Sequence, residues 1–206
     1  CICLNGHSIT QTGDHDVINV ENKVSLSLYD CSGGNAGRIT HAEGKTGRGI
    51  KFSAGISNTF NMYGGTITGN HATATNDDKG GGVLVTGNDK GSFNLHGGVI
   101  TGNSAENGGG VAVSSTDSNP SVSRSFTMDG GTISDNEAAR NGGGVYVENK
   151  GSATVSGGEI KGNTAIIGGG ISGGGSDPLY ITVKDSAKIT ENSASTGGGV
   201  YAGDDA

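Results

Sequence analysis

Of 206 residues, 42 are glycine, 31% are hydrophobic, 4% are aromatic and none is tryptophan, which is too thin a supply for a conventional two-layer core. The net charge of −7, with no Lys/Arg cluster, argues against nucleic acid and anionic membranes as partners. No apolar run approaches the roughly 18 residues that a membrane span requires.

Residues 1–52 read as two irregular coils of one repeating template. Ile2/Leu4, Ile9 and Ile18/Val20 form three short apolar alternations. Leu26/Leu28, Ile39 and Ile50/Phe52 repeat them, with Asp30 to Gly37 (DCSGGNAG) as an inserted corner. Residues 53–206 then carry five regular copies. These are FNMYGGTITGNHATATNDDKGGGVLV from Phe60, FNLHGGVITGNSAENGGGVAV from Phe93 and FTMDGGTISDNEAARNGGGVYV from Phe126. ATVSGGEIKGNTAIIGGGISG from Ala153 and ITVKDSAKITENSASTGGGVYA from Ile181 complete the set. Self-similarity at a fixed period marks a repeat architecture.

Each copy has an alternating pair such as Phe93/Leu95, a single apolar position such as Ile100, and a second pair such as Val111/Val113. Alternation of this kind places one set of side chains inside and the other in solvent, as in a strand. Segments of about three residues bounded by Gly-Gly or Gly-Gly-Gly are too short for helices. The expectation is all-β: a parallel β-helix of three short strands per coil and seven coils, about 34 Å long at the usual strand spacing. Asn70, Asn103, Asn136, Asn163 and Asn192 recur where the chain must turn. Stacked, they can hydrogen-bond amide to amide and satisfy corner backbone groups. Ala72, Ala105, Ala138, Ala165 and Ala194 follow as small corner residues. The glycines suit tight corners. A phosphate-cradling reading of them needs a helix that the pattern lacks.

Extra residues fall at His71 to Lys79, Ser114 to Ser125 and Gly174 to Pro178, and insertions of this kind are the usual place for binding loops. Both ends fall mid-coil without polar caps. The chain therefore reads as one domain, a piece of something longer, with flanking sequence or end-to-end self-association covering the coil ends. Of the three cysteines, Cys1 and Cys3 point outward around Ile2, and Cys31 aligns with His7. A Cys3–Cys31 bridge is possible but not favoured by this register, and an odd count provides no disulfide framework. A lipidated Cys1 is the lesser reading beside a position inside a longer strand-bearing chain.

The opening ICLNGHSIT, the following LSLYDCSGG and the repeated F-x-M-x-G-G-T-I-x-x-N-x-A…G-G-G-V-x-V resemble right-handed parallel β-helix surface proteins of gut-type anaerobic bacteria. The Gly-Gly-x-Ile element is also similar to the repeats of chlamydial polymorphic outer membrane adhesins, without that group's companion Phe-x-x-Asn motif. The likeness covers nearly the whole chain. It implies a right-handed, secreted, adhesive or stalk-like solenoid on the bacterial cell surface, and it carries over no catalytic residue because the shared positions belong to core and corners.

Candidate chemistry is sparse. Glycoside hydrolysis needs two carboxylates about 5 to 10 Å apart. Asp77 and Asp78 in the coil-three corner, with Asp89 beyond, are the densest acidic spot and read first as solvated loop residues. The few basic residues are too scattered to suggest a polysaccharide lyase. No zinc spacing or calcium-binding nonapeptide is present, and no metal or cofactor is expected.

The outward column Tyr63, His96, Asp129, Ser156 and Lys184 should stack one residue per coil, with His96 in hydrogen-bond reach of both neighbours. It reads as a mixed polar face, or else as a sugar-binding or acid–base patch. Threonine-rich second strands (Thr66-Ile-Thr68, Val99-Ile-Thr101, Thr132-Ile-Ser134) suggest an ice-binding plane, but Arg38, Glu159, Lys161 and Lys188 interrupt it. His7, His15, His41 and His71 look isolated. The expected role is a non-catalytic, glycine-rich surface segment that displays or binds glycan or protein ligands. The alternative is part of a secreted glycan-active β-helix enzyme.

Overall fold

The computed structural model describes residues 1–21, 24–54, 58–73, 78–87, 90–114 and 124–203. Within them the chain is a β-solenoid without helices, and every strand pairing is parallel. Three sheets of seven strands run along the axis, giving seven rungs separated by six steps.

The first sheet begins with Ile2–Cys3, Leu26–Tyr29 and Asn58–Met62. It continues through Gly91–Leu95, Arg124–Met128, Gly151–Val155 and Tyr180–Val183. Its middle strands alternate buried and half-buried residues, as the apolar pairs in the sequence require. Phe60, Phe93 and Phe126 lie in register. The Phe60 and Phe93 rings stack with centroids 4.7 Å apart, and Phe93 and Phe126 tilt at 5.2 Å. The second sheet centres on the single apolar column from Ile9 and Ile39 through Ile67, Ile100, Ile133 and Ile160 to Ile189. The third places Val83, Val111, Val145, Ile171 and Val200 in register. Together these columns make one continuous apolar core along the axis. Each rung is thin, and the neighbouring rungs supply the burial it lacks.

The Asn column forms as expected. Asn70 Nδ2 donates to Asn103 Oδ1 at 2.9 Å, and the pattern continues through Asn136 and Asn163 to Asn192 at 2.9 to 3.0 Å. Each amide also donates to the carbonyl of the central Ile one rung back, as from Asn103 to Ile67 at 2.9 Å. The same Oδ1 that accepts from the neighbouring amide accepts from that neighbour's backbone N–H. A buried corner thus has its polar groups satisfied by one residue type.

Glycine is required at the triplets. Gly108 has a φ of 67°, and a Cβ on Gly109 would run into the Glu137 carbonyl, so the close approach of one corner to the next excludes any side chain.

Three features depart from the sequence reading. The Asn-x-Ala corner is itself a strand in rungs four to seven: Ser104–Asn107, Glu137–Asn141, Thr164–Ile167 and Ser193–Thr196 form a four-stranded sheet. The first rung is offset by two residues, because Ile2 pairs with Leu28 and Leu4 lies beyond the strand. This offset corrects the reading of the cysteines: Cys3 pairs with Tyr29, two residues before Cys31, and Cys3 and Cys31 form a disulfide with Cα atoms 6.2 Å apart. Third, the outward positions of the third sheet, Leu84, Ala112, Tyr146 and Ser172, are buried as well.

Candidate functional site

One outward position follows the second inward residue of each first-sheet strand. Along the axis it holds Cys3, Tyr29, Tyr63, His96, Asp129, Ser156 and Lys184, because Ile2, Leu28, Met62, Leu95, Met128, Val155 and Val183 are in register beneath them. In-register parallel strands put such side chains one strand spacing apart, about 4.8 Å, which suits ring stacking. Tyr29 and Tyr63 stack with centroids 4.8 Å apart and planes 8° from parallel. Tyr63 and His96 stack at 4.8 Å and 18°. His96 Nδ1 lies 2.9 and 3.0 Å from the two carboxylate oxygens of Asp129. The structure therefore brings together Tyr63, His96 and Asp129 and adds Tyr29 to them.

The ring faces cover one another, so the edges and polar ends meet solvent. Tyr29 is 39% and Tyr63 45% exposed. Among the described residues neither phenol hydroxyl has a hydrogen-bond partner, and His96 uses only Nδ1. Donation from Nδ1 to the carboxylate places the proton there and leaves Nε2 as an acceptor in the neutral ring. Beside this column runs a second: Asn94 Nδ2 donates to Asn61 Oδ1 at 2.9 Å, followed in register by Thr127, Thr154 and Thr182. Ser92 and Thr59 hydroxyls meet at 3.2 Å in a third.

The acidic candidates behave differently. Asp77 and Asp89 lie outside the described residues. Asp78 occupies a corner at φ 45°, and its backbone carbonyl accepts from the Glu106 and Asn107 amides at 3.1 Å, so its backbone ties coil three to coil four. Among the described residues no group of three or more His, Cys, Asp and Glu is arranged to hold a metal. Among the same residues there is no helix long and apolar enough to cross a membrane. The threonines of the second sheet stack in register, and Glu159, Lys161 and Lys188 interrupt them as expected. A shallow depression beside Glu159 and Lys188 brings together none of the candidate residues.

Two carboxylates near the N-terminus are held ionised. Asp30 accepts the Gly37 amide at 2.7 Å, the Gly6 amide at 2.8 Å and the Ser32 amide at 3.2 Å. These bonds, that from Gly37 foremost, lower its pKa to about 2. Asp14 is lowered chiefly by the Thr46 amide and further by Lys45. Both are turn-forming anions rather than acids.

Two further groups were not legible as sites. His41 bridges Asn70 and the His15 carbonyl. Lys79 Nζ meets Glu148 Oε1 at 2.6 Å, two rungs away, with Ser114 and Tyr146 also bonded to that carboxylate. Only the Tyr29 position carried a signal: LSLY and FNMY share the same spacing after the second inward residue. No protein-family model, curated protein or solved structure matches the chain.

Proposed function

We propose that the chain is a stiff, non-catalytic segment of a secreted bacterial surface protein, one that displays or binds glycan or protein ligands. The observation that carries this reading is the unbroken registration of seven rungs over one core. A stack in which each rung is bonded to the next along the axis transmits load through rows of backbone hydrogen bonds and suits a stalk. The Cys3–Cys31 disulfide supports an oxidising, extracellular setting. The outer face of the first sheet, half-buried polar residues beside the exposed rings of Tyr29 and Tyr63, is a ready surface for contact.

A glycan and protein array probed with the chain, with the same wells read for released sugar, tests the reading. Retention without turnover is the expected result. Released product that disappears in Asp78→Ala would instead make the chain part of a glycan-active enzyme.

A further inference from the structure

We infer that the Tyr29–Tyr63–His96–Asp129 column is a binding track for a neutral, linear polysaccharide lying along the solenoid axis, with one sugar residue per rung. The inference rests on the ligand-binding reading above and specifies its ligand and its site.

The first argument is the state of the polar ends. Tyr29 and Tyr63 present hydroxyls that no described residue engages, and His96 presents Nε2 in the same row. Each end is held by ring stacking at 4.8 Å or by the bidentate approach of Asp129. Half-exposed aromatic side chains lose considerable rotamer freedom when a ligand immobilises them, and here the stack has already restricted it. A polar group fixed in advance contributes more to affinity than one that must be ordered on binding.

The second argument is periodicity. The row repeats at the strand spacing, about 4.8 Å, comparable with the length of one pyranose residue in an extended β-1,4-linked chain. A polymer with hydroxyls on every residue can therefore offer one hydrogen-bonding group to each rung, the groups alternating as successive sugars turn over. The ring faces are occupied by one another, so the contact expected is hydrogen bonding to edges and ends rather than sugar stacking on an open ring.

The third argument is charge. Around the column, the outward residues of rungs two to five that flank it include Asn61, Asn94, Thr127 and Ser92, all neutral donors and acceptors. No lysine or arginine lies among the outward positions of these strands, Ser27 to Asp129. Asp129 and a net charge of −7 disfavour uronate-rich or sulfated chains. The row therefore suits an uncharged glycan, and its four positions limit the stretch it reads to about four sugars.

The test is titration calorimetry of the whole chain with neutral β-1,4-linked gluco-, manno- and xylo-oligosaccharides of about two to six residues, alongside the Tyr29→Phe/Tyr63→Phe double variant. Phenylalanine keeps the stack and removes only the hydroxyls. For at least one series, affinity should rise with length to about four residues and then level. The double variant should weaken binding by about tenfold or more, from the loss of two hydrogen bonds, with an unchanged thermal midpoint. Ring signals of Tyr29 and Tyr63 should shift on saturation. Binding that is indifferent to the double variant or to length overturns the track while leaving a ligand-binding segment in place. Binding only of acidic glycans or proteins does the same. Failure of every neutral series overturns the track too, and array retention then decides separately whether the chain binds ligands at all.

Discussion

His41 Nδ1 lies 2.8 Å from Asn70 Oδ1, so a histidine closes the end of the asparagine ladder nearest the N-terminus. Asn70 directs its amide nitrogen to Ile39, Thr68 and Asn103, which leaves its oxygen facing the imidazole as an acceptor. His41→Ala leaves that buried oxygen without a donor. The expected cost is about 1–3 kcal/mol, read as a lower urea midpoint with unchanged slope.

The salt-linked network of the third sheet should matter more. Lys79 and Glu148 pair at 2.6 Å, with their side chains 22% and 11% exposed. Glu148→Ala strands a lysine among Ser114 and Tyr146, and about 3 kcal/mol of stability should be lost. Lys79→Met/Glu148→Leu, which removes both charges, should recover most of it by chemical denaturation. A double variant as unstable as the single would show that the loss arises from packing instead.

Asp135 and Glu191 sit at φ 55° and 56° in a column otherwise held by Gly69, Gly102 and Gly162. A left-handed backbone penalises a side chain, glutamate more than aspartate. Glu191→Gly should therefore stabilise the chain by up to about 1 kcal/mol after the entropy of a freer unfolded glycine is deducted. Gly102→Glu should move the thermal midpoint down.

The N-terminal corner should loosen in acid. The pKa of Asp30 is lowered to about 2 from an ordinary value of 3.8. Its contribution is thus fully present above the ordinary value and fades as pH falls through about 2. Protection of the Gly6 and Gly37 amides, measured against their intrinsic exchange rates at each pH, should fall over that window, and Asp30→Asn should show faster exchange already at neutral pH. Unchanged exchange in the variant would mean that the corner is held by other contacts.

Reduction offers an independent handle on the same region. The Cys3–Cys31 link closes a loop with a sequence separation of 28, which in the chain-entropy picture stabilises by about 3–4 kcal/mol. Dithiothreitol should speed amide exchange in the first two rungs and leave the Phe93 and Phe126 rungs protected. Equal loss of protection along the whole solenoid would show that the rungs unfold as one unit.

The sequence by itself determined the three main strands of the regular rungs, their inward columns and the corner ladder, but not the corner strands Ser104–Asn107, Glu137–Asn141, Thr164–Ile167 and Ser193–Thr196. Phe93/Leu95, Ile100 and Val111/Val113 recur at a period that admits one stacking, and a one-residue slip would expose the whole apolar set. The proximity of His96 to Tyr63 and Asp129 followed from the same arithmetic, because a side chain in a stacked rung has only its column neighbours to meet. Tertiary structure alone decided what breaks the period. The two-residue offset of the first rung places Cys3 beside Tyr29, and the Asp30 corner that accompanies it is organised by backbone amides from both coils. His41 entered the asparagine ladder from a position where no asparagine stands. Lys79 met Glu148 across 69 residues, and nothing in a local alternation encodes such a meeting. Repetition makes neighbours along the axis legible in the sequence, whereas contacts made by corners and long side chains depend on where the folded rungs leave space and unsatisfied polar groups.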